Sequence, residues 1–413
     1  MRTAVIVLGD LGRSPRMQYH AASLAAAGHD VDLVGLEGTG VLPGLAAHPR
    51  VTCHRLPDRS FQGRATGGIN RFVAGSMARA AGQARRLVAT LMRAPKADVN
   101  LVQNPPAVPT LAVAWLVARV RGSRLVIDWH NLSHTVAAVR LGESHRAVKA
   151  LARSERRWAR RADGHLAVSK ALAGWLAGHY GIAAAILYDR PPAAFSPTPP
   201  PAAAAMWTKL AGAAALGAER IPLVVCPTSW TPDEDFDLLL EALERTERRL
   251  VRDGVPATPA LAVVLTGRGA LRDVFAARVA RRAFTRIAVR THWLEPADYP
   301  VLVGMADLGL CLHQSSSGLD LPMKVADFRG AGVPVAALAY APVLDEVLTP
   351  GREGVTFRDP GELAGMLVGV ASPSADPASP LAQSRAWLSG HPAERWESQW
   401  PLTALPVLAA RRA

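Results

Sequence analysis

Hydrophobic positions in this chain fall into short apolar runs separated by longer amphipathic ones, and the two alternate regularly. TAVIVLGD (3–10) reads as a strand, Pro15 to Ala27 as a helix, and DVDLVGLE (30–37) and VTCHRL (51–56) as further strands. A helix from about Asn70 to Met92 follows, then strand VNLVQ (99–103), an apolar helix over 107–120 and strand RLVIDWH (124–130). Another helix, roughly 145–161, precedes strand GHLAVS (164–169). Such alternation predicts a parallel sheet covered by helices on both faces.

Six prolines in DRPPAAFSPTPPPAAAA (189–205) then break the pattern and read as a semi-rigid connector. A second series follows: strand LVVCPTS (223–229), helix 233–251, strand ALAVVLTGRG (260–269), strand RIAVRTHWL (286–294), strand MADLGLCLH (305–313) and a strand opened by GVPV (332–335). The tail, LAQSRAWLSG and ERWESQWPLTALPVLAA, is amphipathic and is expected to return over the first domain. The organisation expected is two doubly wound, Rossmann-like α/β domains, 1–190 and 206–384, joined by a linker at 191–205 and followed by a returning segment at 385–413. A length of 413 residues agrees with two cores rather than one. Folds of this kind bind ligands at the carboxyl ends of their strands, which places the expected site in a cleft between the facing edges.

Composition narrows the class. The chain is 49% hydrophobic and 20% charged, which is globular. Cys53, Cys226 and Cys311 are far apart and form no CxxC pair, so a reducing compartment is expected, without disulfides or a zinc site. MRTAVIVLGD begins directly with a strand, so no signal peptide is expected, and no apolar run is long enough to span a bilayer. The net charge of +13 is uneven. No acid occurs from Arg59 to Ala97, where Arg59, Arg64, Arg71, Arg79, Arg85, Arg86, Arg93 and Lys96 fall, and a second basic cluster spans Arg153 to Arg161, broken only by Glu155. Such patches suit a polyanion: phospholipid, nucleic acid or a phosphorylated substrate. A merely solvated basic face is the alternative.

Candidate chemistry lies after the strands. In LGDLGRSPR (8–16), Gly9 and Gly12 permit a tight turn and Arg13 and Arg16 supply charge, so the loop reads as a phosphate site or as a plain strand-to-helix turn; it is not GxGxxG. Asp128-Trp129-His130-Asn131 ends a strand, and His130 has the titration range of a general base. CPTSWTPDEDFD (226–237) precedes a helix, with Thr231 or Asp233 as N-cap and Pro232 in the first turn. TGRGALRD (266–273) sets Arg268 between glycines, and His313 ends the strand leading into SSSGLDLPMKVADFRGAGVPV (315–335). There, amides around Ser317 and Gly318 can cradle a diphosphate, Lys324 can neutralise it, and Asp320 or Asp327 can accept hydrogen bonds from sugar hydroxyls. That is the donor half of a nucleotide-sugar site; an ordinary strand-loop-helix with solvated aspartates is the bland reading.

The motifs VLGDLGRSPRMQYHAASLA, QNPP before an apolar helix, LVIDWHN, YDRPP, TSWTPDEDFDLLLEALE, THWLEPADYP and HQSSSGLDLPMKVADFRGAGVPV, with the tryptophan-rich tail, resemble the chitobiosyldiphosphodolichol β-mannosyltransferase family over nearly the whole chain. The resemblance implies a GT-B, inverting enzyme that transfers β-1,4-linked mannose from GDP-mannose to a polyprenyl-diphosphate-linked acceptor. It further implies a peripheral position on the cytoplasmic face of the cell membrane. Family members in eukaryotes carry an N-terminal anchor that is not expected here, and the arginine–alanine bias looks bacterial. Where many retaining GT-B enzymes place two basic residues, this chain has Ser229-Trp230-Thr231 and Asp235.

Under that resemblance His130 is the base and Asp128 its orienter or its alternative, with Glu143 and Asp10 as lesser candidates. Arg268 and Lys324 meet the diphosphate, His313 contacts the donor, Asp320 and Asp327 hold donor hydroxyls with Asp327 on the ribose, and Gly12 and Arg13 meet an acceptor phosphate. No bound cofactor is expected, and any Mg²⁺ is expected to enter through the donor diphosphate. A membrane helix is expected near 70–92, its Phe72, Val73, Met77, Leu87, Val88 and Leu91 entering anionic lipid beside Arg79, Arg85 and Arg86, unless that apolar face packs on the sheet. The competing functions are a retaining α-glycosyltransferase, a sugar-nucleotide epimerase needing no acceptor, and a basic nucleic-acid-binding module, which lacks any recognisable motif of that class.

Overall fold

Strand β1 (Arg2–Asp10) is buried through Thr3–Leu8, as a continuous apolar run at the centre of a parallel sheet must be. A computed structural model of the chain describes residues 1–42, 44–57, 69–214, 219–372 and 378–410, the side chains of 69–78 and 213–214 excepted. It divides into two units, Met1–Asp189 with Glu397–Ala413, and Arg190–Trp396.

In the first unit α1 (Pro15–Ala26) leads to β2 (Asp30–Leu36) and β3 (Val51–Leu56), followed by α2 (Ile69–Arg93), β4 (Val99–Asn104), α3 (Thr110–Arg121) and β5 (Arg124–Trp129). Then come α4 (Ser133–Leu141), α5 (Arg146–Ala159), β6 (Gly164–Ala167), α6 (Lys170–Tyr180) and β7 (Ala185–Ile186). The seven strands pair in the order β3-β2-β1-β4-β5-β6-β7, all parallel.

The second unit begins with α7 (Pro200–Ala214), β8 (Leu223–Pro227), α8 (Phe236–Arg252), β9 (Leu261–Thr266), α9 (Arg272–Ala280) and β10 (Ile287–His292). It continues through α10 (Asp298–Gly304), β11 (Leu308–Cys311), α11 (Met323–Gly330), β12 (Val335–Leu338), β13 (Gly354–Phe357), α12 (Pro360–Ala371) and α13 (Pro380–Gly390). Its parallel sheet runs β10-β9-β8-β11-β12-β13. Both sheets reverse strand order beside their first strand, which is where doubly wound folds place ligands.

Several local features differ from the sequence expectation. The proline-rich stretch is more than a semi-rigid connector: Phe195 is buried, the Thr198 amide donates to Gly304 O at 3.1 Å, and from Pro200 the chain is helical. Residues 385–396, expected in the returning segment, belong to the second unit, where Arg395 donates to Phe195 O and, at 3.1 Å, to Gly330 O. The return itself is α14 (Trp396–Ala409), whose end accepts from Arg124 at Val407 O and Leu408 O, 3.1 and 2.9 Å. Helix α8 is capped by Asp235, accepting from the Leu238 amide at 2.8 Å, not by Thr231 or Asp233, because the preceding loop is pinned elsewhere.

The membrane-helix expectation is corrected for part of α2. Leu87 and Leu91 are buried, so they pack in the core rather than enter lipid. Arg59 and Arg64, and the side chains of Arg71, Phe72, Val73 and Met77, lie outside the described residues. Among the described residues no helix is long and apolar enough to cross a membrane.

Candidate functional site

In the first unit the chemistry gathers on Asp128, at the carboxyl end of β5 and fully buried. Arg16, expected as a loop cation, is instead buried and bidentate on Asp128, Nε to Oδ2 at 2.8 Å and Nη2 to Oδ1 at 2.9 Å; its Nη1 reaches Leu187 O and Asp189 Oδ1. Two histidines complete the shell: His20 Nε2 lies 3.2 Å and His130 Nε2 2.8 Å from Asp128 Oδ2. Burial alone pushes the Asp128 carboxyl up, but Arg16 first, then His130 and His20, outweigh it and hold it well below the usual carboxylate range.

An ionised carboxylate only accepts, so each histidine donates to it through Nε2–H, and the unprotonated nitrogen of a neutral ring is Nδ1. For His20 a second contact says the same, since the Trp400 indole, a donor only, gives its hydrogen bond to His20 Nδ1 at 2.8 Å. Burial keeps His20 below its ordinary pKa and therefore neutral. His130 is the partly exposed member and so the one with a basic nitrogen to offer. Four residues on, a second dyad stands: His134 Nδ1 is 2.7 Å from Glu155 Oε2, and buried Glu155 also accepts from the Asn104 side chain and the Ser133 amide, each at 2.8 Å. Glu155 is thus a core carboxylate, not a member of a surface charge run.

Asp10 accepts from the Gly12 amide at 2.9 Å and the Thr39 amide and hydroxyl at 3.0 and 2.7 Å, so it holds its turn together. A Cβ on Gly12 would meet Gly40 O at 2.3 Å, which is why glycine is needed there. Arg13 is exposed and Glu143 lies on the surface after α4.

In the second unit the loops after β8, β9 and β11 supply a polar cluster. Glu234 Oε2 accepts from the Ser229 and Trp230 amides, both at 3.0 Å, while its Oε1 takes the Lys324 ammonium. Trp230 sits at φ 55, a conformation rare for a bulky residue, fixed by those bonds and by its indole stacked on Phe236 with centroids 4.8 Å apart. Gly267, at φ 104, brings the β9 loop against Thr228, whose carbonyl oxygen a Cβ would meet at 1.9 Å. Arg268 next to it lies over the Trp293 ring, 4.0 Å from its centroid. Burial lowers the Lys324 ammonium, but the Glu234 charge more than restores it, so Lys324 is charged.

His313 bridges two carboxylates, Nδ1 to Asp233 at 3.4 Å and Nε2 to Asp320 at 3.3 Å. The Ser315 hydroxyl bonds Asp320 and also takes the Ser317 and Gly318 amides, at 3.2 and 2.8 Å, so the amides expected to face a diphosphate are engaged within their own turn. That turn precedes α11 by several residues, with Pro322 at the helix N-cap. Asp327, on α11, accepts from the Tyr299 hydroxyl at 3.1 Å. Sequence reading named His313, Asp320, Lys324 and Asp327 but missed Glu234 and Tyr299, because an acid or phenol carries no local signal of a partner so far along the chain.

Burial tends to discharge His313, yet its hydrogen bonds to Asp233 and Asp320 raise its pKa to about 9. A raised folded value means the stabilisation is fully present below the unfolded value of about 6.5 and is lost as pH rises through about 9. The second unit is therefore expected to lose up to about 3 kcal/mol across that window. Urea unfolding at both ends of the window measures it; His313→Gln must flatten the dependence, and an equally steep curve in that variant rules the assignment out.

Comparison with known proteins places the chain in a family and a fold. Residues 12–188 match the glycosyl transferase 4-like domain. The chain is 37% identical to the chitobiosyldiphosphodolichol β-mannosyltransferase of Mus musculus and 38% identical to that of Homo sapiens, each over 98% of this chain and 88% and 91% of theirs. It is 34% identical to the UDP-glycosyltransferase TURAN of Arabidopsis thaliana, over 98% of this chain and 97% of that one. Among solved structures it resembles Anabaena HepE in complex with UDP and glucose, TM-score 0.68 at 15% identity, covering 99% of both chains. It also resembles a sucrose-phosphate synthase of Thermosynechococcus elongatus, TM-score 0.67 at 16% identity, over 96% of this chain and 95% of that one. At these identities the structural likeness shows the fold alone, and the fold is GT-B.

Proposed function

The chain belongs to the chitobiosyldiphosphodolichol β-mannosyltransferase family and is a glycosyltransferase, and from that premise we propose that it transfers mannose from GDP-mannose, with inversion, to a sugar on a lipid diphosphate. The observation that carries the reading is the His130–Asp128 dyad. Inversion is a single displacement. The acceptor hydroxyl oxygen bonds to the anomeric carbon as its proton passes to His130 Nδ1, and the bond from that carbon to the β-phosphate oxygen breaks, GDP leaving with the electron pair. Asp128 keeps Nε2 protonated and stabilises the imidazolium that forms, the orienting role a carboxylate plays behind a histidine base. Its oxygens are already taken by Arg16, His20 and His130, which favours orienter over base.

The second unit supplies the donor groups in this reading. Asp327 accepts from the ribose, Lys324 and Arg268 offset the charge of departing GDP, and protonated His313 adds to that field beside Asp320. In this reading exposed Arg13 meets the acceptor phosphate, while Gly12, its amide held by Asp10, shapes the turn that carries it. Any Mg²⁺ enters on the donor diphosphate. The reaction belongs on the cytoplasmic face of the membrane, a reading that the three free cysteines support.

One incubation with GDP-mannose and a polyprenyl-diphosphate chitobiose, with the product's anomeric coupling read by NMR, tests it. A β-linked product is expected; an α-linked product, or transfer only from another nucleotide sugar, overturns it. Alongside, Asp327→Asn should weaken GDP-mannose binding by roughly 10- to 150-fold in calorimetry, the range for a hydrogen bond to a charged group. Unchanged affinity removes Asp327 from the donor site.

A further inference from the structure

Outside the dyads, the first unit exposes an apolar and basic surface on three helices. Helix α3 packs against both α2 and α5, and α4 packs on α5. Their outward positions include Leu116 and Val120 on α3, 50% and 65% exposed, and Val136 and Val139 on α4, 46% and 67% exposed. A core explains none of them. Beside them the Trp115 and Trp158 rings lie 5.2 Å apart, with the Arg161 guanidinium 5.8 and 5.4 Å from their centroids and Arg157 5.5 Å from that of Trp158.

Charge on this surface is predominantly positive. From 105 to 162 the acids are Asp128, Glu143 and Glu155, of which only Glu143 is exposed. Lys149, Arg153, Arg156 and Arg157 line the outer face of α5. Aliphatic side chains that can enter hydrocarbon, indoles suited to the head-group boundary and arginines to meet lipid phosphate are the three components of an interfacial membrane surface. Nucleic acid would use the arginines but leave the leucine and valines without a role.

We propose that the outer face of α3, α4 and α5 docks this enzyme on an anionic lipid bilayer. The proposal rests on the lipid-linked acceptor reading, since such an acceptor stays in the bilayer. It moves the docking from α2, where Leu87 and Leu91 face the core, to α3 and the two helices beyond it.

Flotation of the full chain with vesicles tests it. Binding is expected to phosphatidylcholine containing phosphatidylglycerol, not to phosphatidylcholine alone, and to fall with salt. Each arginine facing such a surface is worth about fivefold in partitioning, so Arg157→Glu with Arg161→Glu should weaken it at least 25-fold or so. Leu116→Ser with Val120→Ser should weaken it at unchanged melting temperature, and Arg79→Glu with Arg85→Glu on α2 should change it far less. The proposal fails if neutral vesicles bind equally, if anionic ones do not bind, or if the α3 and α5 variants bind like wild type. It also fails if a duplex RNA outcompetes vesicles, or if the α3 variant instead splits a dimer. Turnover of a short-chain acceptor in detergent separates the two readings: normal turnover without vesicle binding removes the docking and keeps the transferase.

Discussion

Replacing His130 with alanine is expected to lower kcat by roughly 10²- to 10⁴-fold while calorimetric affinity for GDP stays that of the wild type. The split follows from where the residue stands. His130 belongs to the first unit and touches Asp128, whereas the donor groups proposed here all belong to the second. Losing the imidazole removes the acceptor of one proton and leaves the nucleotide contacts intact, so the loss falls on the chemical step. A competing base exists four residues away. His134 donates Nδ1–H to buried Glu155 much as His130 donates Nε2–H to Asp128, which makes the two rings chemically similar and spatially distinct. Single-turnover rates for His130→Ala and His134→Ala decide between them. Near-normal turnover in the first with loss in the second transfers the role to His134; a parallel loss of GDP affinity in His130→Ala places that residue on the donor instead.

The architecture was legible because parallel strands buried on both faces must be apolar runs, and runs such as Thr3–Leu8 and Leu261–Leu265 have no other reading in an α/β chain. Strand ends were legible too, so His130 and His313 could be named as residues at carboxyl edges. What sequence could not give is pairing. Arg16 and Asp128 are 112 residues apart, Lys324 and Glu234 are 90, and Trp400 and His20 are 380, and no local pattern links them. Arg16 therefore read as a free loop cation when it is the counter-ion of a buried carboxylate. The α8 cap was misplaced for a related reason. Thr231, Asp233 and Asp235 are all competent N-caps, and the choice fell to Asp235 because Glu234 and Asp233 are held by the Trp230 amide and by His313. The proline-rich stretch misled because composition reports stiffness, not what the chain packs against.

Removal of the Asp128 carboxylate is expected to be the most damaging single change in the first unit. Asp128→Ala leaves Arg16 charged, buried and short of its bidentate partner, and a buried pair broken from one side typically costs about 3–5 kcal/mol. His20 and His130 lose their acceptor in the same step. The pH dependence follows from the depressed carboxyl pKa. Stability from Asp128 is present above the unfolded value of about 3.9 and is lost as pH falls through and below it, so the wild type should destabilise more steeply in acid than an Asp128→Asn variant. Because a poorly folded variant also fails to turn over, stability and chemistry are separated by replacing both partners. Arg16→Met with Asp128→Leu removes the charges together and should recover much of the lost stability, as apolar replacement of a buried ion pair commonly does. It should still be inactive, since His130 then has no carboxylate to orient it. Chemical denaturation and kcat are to be measured on the same preparations. A double variant that regains both stability and turnover would show Asp128 to be a structural group only, and an Asp128→Ala protein as stable as wild type would sink the buried-pair argument itself.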